Sequence, residues 1–221
     1  MKHLIIIFAA ALAACCGEQK QPQAAATPFE PGQTVTLASP DAVPAQQVVE
    51  ALRQRCSTRA FSGEQLTLEE LSGILWAAAG VNREDGKLTA PSAMALYPIR
   101  TYAFLADGIY FYNAAQNTLE RVAEGDHRAA TGGQPFVATA PLNIVYVADI
   151  SSYAERNVPL EHTRYLCGQD AAGYAENASL YGAVCGLKSV VRGSFDNQAI
   201  LGLLGLDPQT HFTALAQTVG K

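Results

Sequence analysis

An arginine-containing heptapeptide is the part of this chain whose residue types suggest chemistry most directly. Its sequence is Arg55-Cys56-Ser57-Thr58-Arg59-Ala60-Phe61. In an extended segment, side chains alternate between two faces, so Arg55, Ser57 and Arg59 would share one face. Two cations flanking a hydroxyl form a socket for phosphate, because each planar guanidinium can meet two phosphate oxygens at once. For these seven residues alone, solvated surface charges are the alternative.

The overall composition is that of a globular protein. Of the 221 residues, 49% are hydrophobic and 16% are charged, which suits one domain that buries roughly 70% of its unfolded surface. The net charge of −5 argues against nucleic-acid binding, which requires a basic face. We predict no metal site, because His127, His162 and His211 are isolated and no Cys-x-x-Cys motif occurs.

The first residues have the layout of a bacterial export signal. Lys2 and His3 precede an apolar run, residues 4–14, that is too short to span a bilayer. The sequence Leu12-Ala13-Ala14-Cys15 resembles the lipobox of bacterial lipoproteins. This resemblance implies that Cys15 is lipidated and anchors the mature protein to a membrane, facing the periplasm or the cell surface. A soluble exported protein that is cut nearby is the alternative.

Three regions follow from this reading of the N-terminus. Residues 1–14 are predicted to be a signal peptide. Residues 15–31, rich in Gln, Ala and Pro, are predicted to be a flexible tether. Residues 32–221 then form the folded domain.

Helical periodicity appears in three places. Residues 46–54 form a short amphipathic helix that leads into the heptapeptide. Thr67 and Glu70 make a capping box for a helix that ends at Gly80. A long helix over residues 164–186 carries a stripe of small residues, which predicts close packing near the centre of the fold.

Strand signals lie between and after these helices. Residues 101–105 and 109–112 alternate as a hairpin, with Ala106-Asp107-Gly108 supplying the positive φ that a tight turn requires. Residues 142–148 are predicted to be a buried strand, and residues 189–191 and 212–219 two more. Asp196 is predicted to cap a helix that ends at Leu204. The irregular alternation of helices and strands favours an α+β fold.

Two further segments complete a pattern that resembles a known family. They are Ala90-Pro91-Ser92-Ala93-Met94-Ala95-Leu96-Tyr97-Pro98 and Gly186-Leu187 through Val191-Arg192-Gly193-Ser194-Phe195-Asp196. Together with the heptapeptide, and in the same order, they resemble the FMN-dependent nitroreductase family. The resemblance is strongest to its SagB-like and thiazoline-oxidase dehydrogenases, and it covers nearly everything after the tether.

The resemblance implies a fold, a cofactor and a set of binding residues. The fold would be nitroreductase-like, with a central mixed or antiparallel sheet flanked by helices and with FMN at the interface of a homodimer. Its flavin-binding residues fall into three groups. Arg55, Ser57 and Arg59 would bind the FMN phosphate; Pro91, Ser92, Ala93 and Met94 would lie along the flavin; and the main chain at Arg192 and Gly193 would meet the isoalloxazine ring.

The chain departs from the family pattern at several points. Met94 stands where the branch usually has glycine, and Arg192 where many nitroreductases have an acidic residue. The chain ends at Lys221, where many relatives continue into basic residues that complete the phosphate site, so here either Lys221 alone would serve or that contact would be absent. Arg164-Tyr165 only suggests the catalytic pair of some azoline dehydrogenases, so we assign no catalytic residue.

The expected activity is that of an FMN oxidoreductase that transfers hydride equivalents between a small organic substrate and an electron acceptor. Cytoplasmic relatives often use NAD(P)H, which is scarce outside the inner membrane. An envelope protein would instead exchange electrons with a quinone, oxygen or another carrier, which favours the dehydrogenase direction. A catalytically inactive binding or scaffold lipoprotein that keeps the fold is the alternative.

Overall fold

A computed structural model describes residues 45–221. The predicted signal peptide, the tether with Cys15, and residues 32–44 at the start of the predicted domain all lie outside the described residues. Everything below concerns residues 45–221.

A six-stranded sheet forms the centre of the fold. Its strand order is β3-β2-β1-β4-β6-β5, and every neighbouring pair is antiparallel. The strands are β1 Ile99–Leu105, β2 Gly108–Asn113, β3 Thr118–Glu124, β4 Leu142–Asp149, β5 Lys188–Arg192 and β6 His211–Gly220. The predicted α+β class and its antiparallel sheet are confirmed.

Five α-helices accompany the sheet within residues 45–221. They are α1 Gln46–Gln54, α2 Leu68–Ala79, α3 Ser151–Glu155, α4 Leu160–Val184 and α5 Asn197–Leu204. Thr67 and Glu70 form the predicted capping box of α2, and the Asp196 carboxylate caps α5. The N-terminal ends of α2 and α5 were predictable from the sequence, because each capping side chain lies within three residues of the backbone N–H groups that it bonds.

The sheet has a hydrophobic core on each face. Helices α2 and α4 cover one face, where the Tyr174 ring packs edge-on against Tyr146 of β4 and Ile74 of α2 belongs to the same core. Helix α5 covers the other face, where Ile200 packs with Val145 and its neighbours. Strand β4 is buried on both faces because its successive side chains enter the two cores alternately.

The small-residue stripe of α4 packs as predicted at four of its five positions; Gly186, with a φ of 73°, lies beyond the helix end and is exposed. Ala171, Ala175, Ala178 and Gly182 are all buried. A Cβ at Gly182 would lie only 3.2 Å from Cδ1 of Ile74, so the absence of a side chain there lets α2 approach α4 closely. Helix α4 therefore runs along the sheet at short range, in contact with elements from both ends of the chain.

The hairpin between β1 and β2 forms at the predicted place, but the reason given for its glycine was wrong. None of Ala106, Asp107 and Gly108 has a positive φ. A Cβ at Gly108 would instead lie 2.6 Å from the backbone oxygen of Ala123 in β3. Glycine is needed at this position because a neighbouring strand approaches closely, and the turn itself does not require it.

Within residues 45–221, no helix is both long and apolar enough to cross a membrane. The same residues contain no cluster of three or more His, Cys, Asp or Glu side chains that could hold a metal ion.

Candidate active site

The heptapeptide is extended and lies beside strand β5. Ser57 forms an isolated parallel bridge with Ser189, and the N–H of Thr58 donates to the Ser189 carbonyl at 2.9 Å. Cys56 Sγ lies 3.6 Å from Thr58 Oγ1, so these two side chains share one face. Arg55 lines a small cavity together with Cys56 and Thr58, whereas Ser57 and Arg59 do not, so the face predicted to be shared by Arg55, Ser57 and Arg59 stays a prediction. The backbone contacts join the segment that resembles the phosphate-binding motif directly to the segment that contains Arg192 and Gly193.

The two arginines of the heptapeptide differ in their surroundings. Arg55 Nε lies 3.6 Å from Glu176 Oε1 on α4. Arg59 is exposed and, within the part of the chain that the structure describes, has no hydrogen bond or ion pair. Ser57 is exposed as well. Two cations and an open hydroxyl suit a phosphate, although Glu176 already neutralises part of the charge of Arg55.

A cavity of about 190 Å³ separates the start of the heptapeptide from α4 and β5. Arg55 and Lys188 both line it, whereas Ser57 and Arg59 do not. Lys188 is a basic residue that the sequence analysis missed. From the sequence alone, nothing connects a lysine at the start of a strand with Arg55. The connection appears only when β5 is seen to lie beside the heptapeptide.

The second family-like segment is held by a carboxylate on α4. The Ser92 hydroxyl donates to Asp170 Oδ2 at 2.6 Å, and the Ala93 N–H donates to Asp170 Oδ1 at 3.1 Å. The Tyr97 N–H in turn donates to Ser92 Oγ at 2.8 Å. Asp170 is 6% exposed. Asp170 could not be predicted from the sequence, because the residues that it binds lie 77 and 78 positions earlier in the chain.

This segment has an unusual backbone. Met94, Ala95 and Tyr97 have φ values of 54°, 53° and 48°, in the left-handed region. For residues other than glycine such conformations cost about 1–3 kcal/mol each. The value at Met94 gives a physical reason for the glycine that the resembling branch usually has there. Met94 is also exposed, so its side chain adds apolar surface beside the predicted flavin-binding loop.

The groups around Asp170 are buried and protonated at neutral pH. Desolvation raises the pKa of the Asp170 carboxyl, and its bonds from Ser92 and Ala93 oppose that rise. Burial, together with the charge of Asp170, raises the pKa of Cys167 and that of Tyr153 to about 12. Asp170 is therefore surrounded by neutral groups on its own helix and on α3.

Arg192 is buried, and its guanidinium is bonded inside the protein, so its side chain is not available to a ligand. Its Nη1 donates to the Thr131 carbonyl at 2.6 Å, its Nε to Thr218 Oγ1 at 3.0 Å and its Nη2 to Asn143 Oδ1 at 3.1 Å. Desolvation lowers the pKa of Arg192 to about 10. The next residue, Gly193, is exposed, and a Cβ built on it would meet no atom within 4 Å. This arrangement is compatible with the predicted contact through the main chain.

The side chain of Lys221 pairs with two glutamates and not with the heptapeptide. Its Nζ lies 2.6 Å from Glu64 Oε1 and 3.4 Å from Glu70 Oε2, and these carboxylates raise the pKa of the ammonium group. The backbone carbonyl of Lys221 accepts from the Ser62 N–H at 2.8 Å. The backbone of Lys221 is therefore hydrogen-bonded next to the heptapeptide, whereas its ammonium group is paired with Glu64 and Glu70.

Helix α4 supports all three family-like segments. Asp170 binds the loop of residues 91–97, and Glu176 pairs with Arg55. Ser179 Oγ accepts from Ser189 Oγ of β5 at 3.4 Å. Ser179 lies nine positions after Asp170 along the helix, which corresponds to about 13.5 Å of rise. Cations and an open hydroxyl at one end, and exposed loop backbone at the other, fit an elongated ligand with a phosphate, such as FMN.

Comparison with known proteins agrees with this geometry. The model of the nitroreductase family matches residues 52–221. A candidate nitroreductase of Methanocaldococcus jannaschii is 30% identical over 204 residues, which cover 86% of this chain and 98% of that protein.

Two crystal structures extend the comparison. The first, of a candidate nitroreductase from Ralstonia eutropha JMP134, is 35% identical with a TM-score of 0.73 and covers 87% of each chain. The second is a candidate nitroreductase from Desulfovibrio desulfuricans in complex with FMN, 25% identical with a TM-score of 0.55, and it covers 78% of this chain and 84% of that one. The chain therefore belongs to the nitroreductase family of oxidoreductases.

Proposed function

We propose that the protein is an FMN-dependent oxidoreductase that transfers hydride equivalents between a small organic substrate and an electron acceptor. The observation that carries the proposal is the joining of three distant segments on one helix. Asp170, Glu176 and Ser179 of α4 contact the loop of residues 91–97, Arg55 and strand β5, respectively. The FMN-bound relative supports the choice of flavin.

Each segment has a role in this proposal. Arg55, Ser57 and Arg59 bind the phosphate, with Lys188 adding positive charge beside Arg55. The backbone of the loop that contains Pro91, Ser92, Ala93 and Met94, and that of Arg192 and Gly193, line the flavin ring. Bound FMN supplies the redox chemistry, since it accepts a hydride equivalent and passes the electrons on.

The residues around the ring favour the SagB-type dehydrogenase branch. The supporting feature is the Pro91-to-Pro98 segment, which resembles that branch's loop and is fixed here by a buried carboxylate. In an envelope location the electrons would pass to a quinone, oxygen or another carrier, because NAD(P)H is scarce there. We therefore favour oxidation of the organic substrate over reduction of a nitro group.

A homodimer is part of the proposal. Val48 and Leu52 of α1 and Val184 of α4 are more than half exposed. A groove of about 680 Å³ that includes Val48, Tyr181 and Val184 runs between the two helices. A second copy of this chain is the occupant that the family resemblance implies. Light scattering of the purified protein should give twice the mass of one chain. A monomer at micromolar concentration would contradict the proposed homodimer.

The envelope location rests on the lipobox and has its own test. Cys15→Ala should move the protein from the membrane fraction to the soluble fraction, while Cys16→Ala, which leaves the lipobox cysteine in place, should not. An unchanged distribution of the Cys15→Ala variant would contradict lipidation at Cys15 without bearing on the flavin site.

The visible spectrum of the purified protein tests the central function. We expect flavin absorption bands, release of FMN on acid treatment, and bleaching and recovery of the bands when reductants and acceptors are added anaerobically. If no flavin is retained even after addition of excess FMN, the catalytically inactive scaffold becomes the better account.

A further inference from the structure

We propose that Asp170 is a positioning residue that holds the loop of residues 91–97 in its left-handed conformation for flavin binding. This inference rests on the proposed FMN site. It assigns a role to a residue that lies outside the three family-like segments.

The contacts of Asp170 fix the loop at two points. One carboxylate oxygen accepts from the Ser92 hydroxyl and the other from the Ala93 N–H. Ser92 Oγ then accepts from the Tyr97 N–H, so the carboxylate is linked through one hydroxyl to both ends of the turn. Hydrogen bonds to an ionised carboxylate are stronger than bonds between neutral groups. Asp170 can therefore hold a backbone shape that the loop would not keep alone.

The loop needs such a support. Met94, Ala95 and Tyr97 all have positive φ, and none of them is glycine. Within the loop itself, only the Ala95 N–H to Ser92 carbonyl bond at 3.0 Å and the Leu96 N–H to Ala93 carbonyl bond at 3.2 Å connect backbone groups. Strained conformations persist where the surroundings over-determine them, and they cluster at functional sites.

The charge of Asp170 is not needed to balance a cation. Within residues 45–221, no Lys, Arg or His forms an ion pair with Asp170. The buried hydroxyls of Tyr153 and Tyr174 do not bond to it either. A buried charge without a counter-ion lowers stability, so a neutral residue would serve a purely structural purpose better. The carboxylate is therefore explained by the bonds that it makes to the loop.

The test compares Asp170→Asn and Ser92→Ala with the control variant Asp126→Asn. Asp126 binds Arg128 and has no contact with the loop, so its loss should affect stability alone. The first readout is amide hydrogen exchange at Ala93 and Tyr97 in the flavin-free protein. The second is the dissociation constant of FMN together with the visible circular dichroism of the bound flavin. The third is the thermal midpoint.

For Asp170→Asn we expect exchange at Ala93 and the dissociation constant of FMN each to rise roughly tenfold or more, because a charge-assisted bond is lost. The circular dichroism of any flavin that remains bound should change. The thermal midpoint should stay at or above that of the wild type, because the buried charge is gone. Combining Asp170→Asn with Ser92→Ala should cost less than the sum of the two single effects, because both weaken the Ser92–Asp170 bond, although Ser92→Ala also removes the Tyr97–Ser92 bond. The control should lower the midpoint without changing FMN affinity.

Unchanged exchange at Ala93 and Tyr97 in Asp170→Asn would overturn the proposal whether or not the protein binds FMN. A lower midpoint with unchanged FMN affinity would reduce Asp170 to a structural residue, which also overturns it. Wild-type protein that binds no FMN would instead contradict the proposed function, and the proposed role in flavin binding would fail with it. The exchange measurement would then still decide whether Asp170 holds the loop.

Discussion

Arg55 Nε lies 3.6 Å from Oε1 of Glu176, so an acidic side chain stands beside the predicted phosphate socket. The side chains of Arg55 and Glu176 are 36% and 51% exposed, and ion pairs this open to water are weak. Glu176 nevertheless shares the charge of Arg55 and would repel a doubly ionised phosphate nearby. Its carboxylate should therefore lower the affinity for FMN.

Glu176→Gln should tighten FMN binding. Removing the carboxylate frees Arg55 and removes a repulsion, which should lower the dissociation constant about two- to fivefold, the range expected for a solvent-exposed pair. Titration of the flavin-free protein with FMN at low salt measures the change. Glu161→Gln, in the first turn of the same helix, is the matched control and should have no effect. Weaker binding by Glu176→Gln would mean that Glu176 orients Arg55 and does not compete with the ligand.

Met94→Gly should stabilise the protein. Glycine adopts the φ of 54° without steric cost, and this gain exceeds its entropic cost by about 0.5–1 kcal/mol. Met94→Ala keeps the Cβ and should give no such gain. Urea unfolding of both variants measures the difference, and equal unfolding free energies would show that the left-handed conformation at residue 94 carries little strain.

The Asp126–Arg128 pair should make stability depend on pH in acid. The hydrogen bond from the largely buried Arg128 side chain is the main cause that lowers the pKa of Asp126. With a folded-state pKa below the unfolded value of about 3.9, the pair contributes its full stability above that pH and loses it as the pH falls through the folded-state pKa.

Asp126→Asn should therefore cost about 1–2 kcal/mol of unfolding free energy at pH 7, less than a fully buried pair because Asp126 is exposed. The difference between wild type and variant should shrink below pH 4. Unfolding curves at pH 7 and at about pH 3 measure it. A difference that stays constant with pH would contradict the lowered pKa.

The parts of the fold that were predictable depend on local signals. The Thr67–Glu70 capping box and the Asp196 cap act within three residues, and both helices begin where predicted. Strand β3 was missed because it lies at the edge of the sheet and most of its side chains are exposed, so it lacks apolar alternation. The role of Gly108 was misread because the close approach of Ala123 is not a property of the turn.

The residues of the candidate site also divide into those that local sequence signals predicted and those that they could not predict. The residues that resemble family motifs were predictable because each motif is continuous in the sequence. Asp170, Glu176 and Lys188 were not, because each acts on a segment that is distant in the chain. Their contacts exist only after α4 has packed on the sheet and β5 has paired with β6. Likewise, Lys221 pairs with Glu64, which lies 157 positions earlier in the chain.

The central claim is that Arg55, Ser57 and Arg59 bind the phosphate of FMN. It is tested most directly by the amount of FMN retained by the Arg55→Ala, Arg59→Ala double variant. Arg121→Ala combined with Arg156→Ala removes the same charge from two exposed arginines elsewhere and serves as the control. We predict that the wild type and the control retain about one FMN per chain, and that the folded double variant retains almost none. Full retention of FMN by the Arg55→Ala, Arg59→Ala variant would contradict the account.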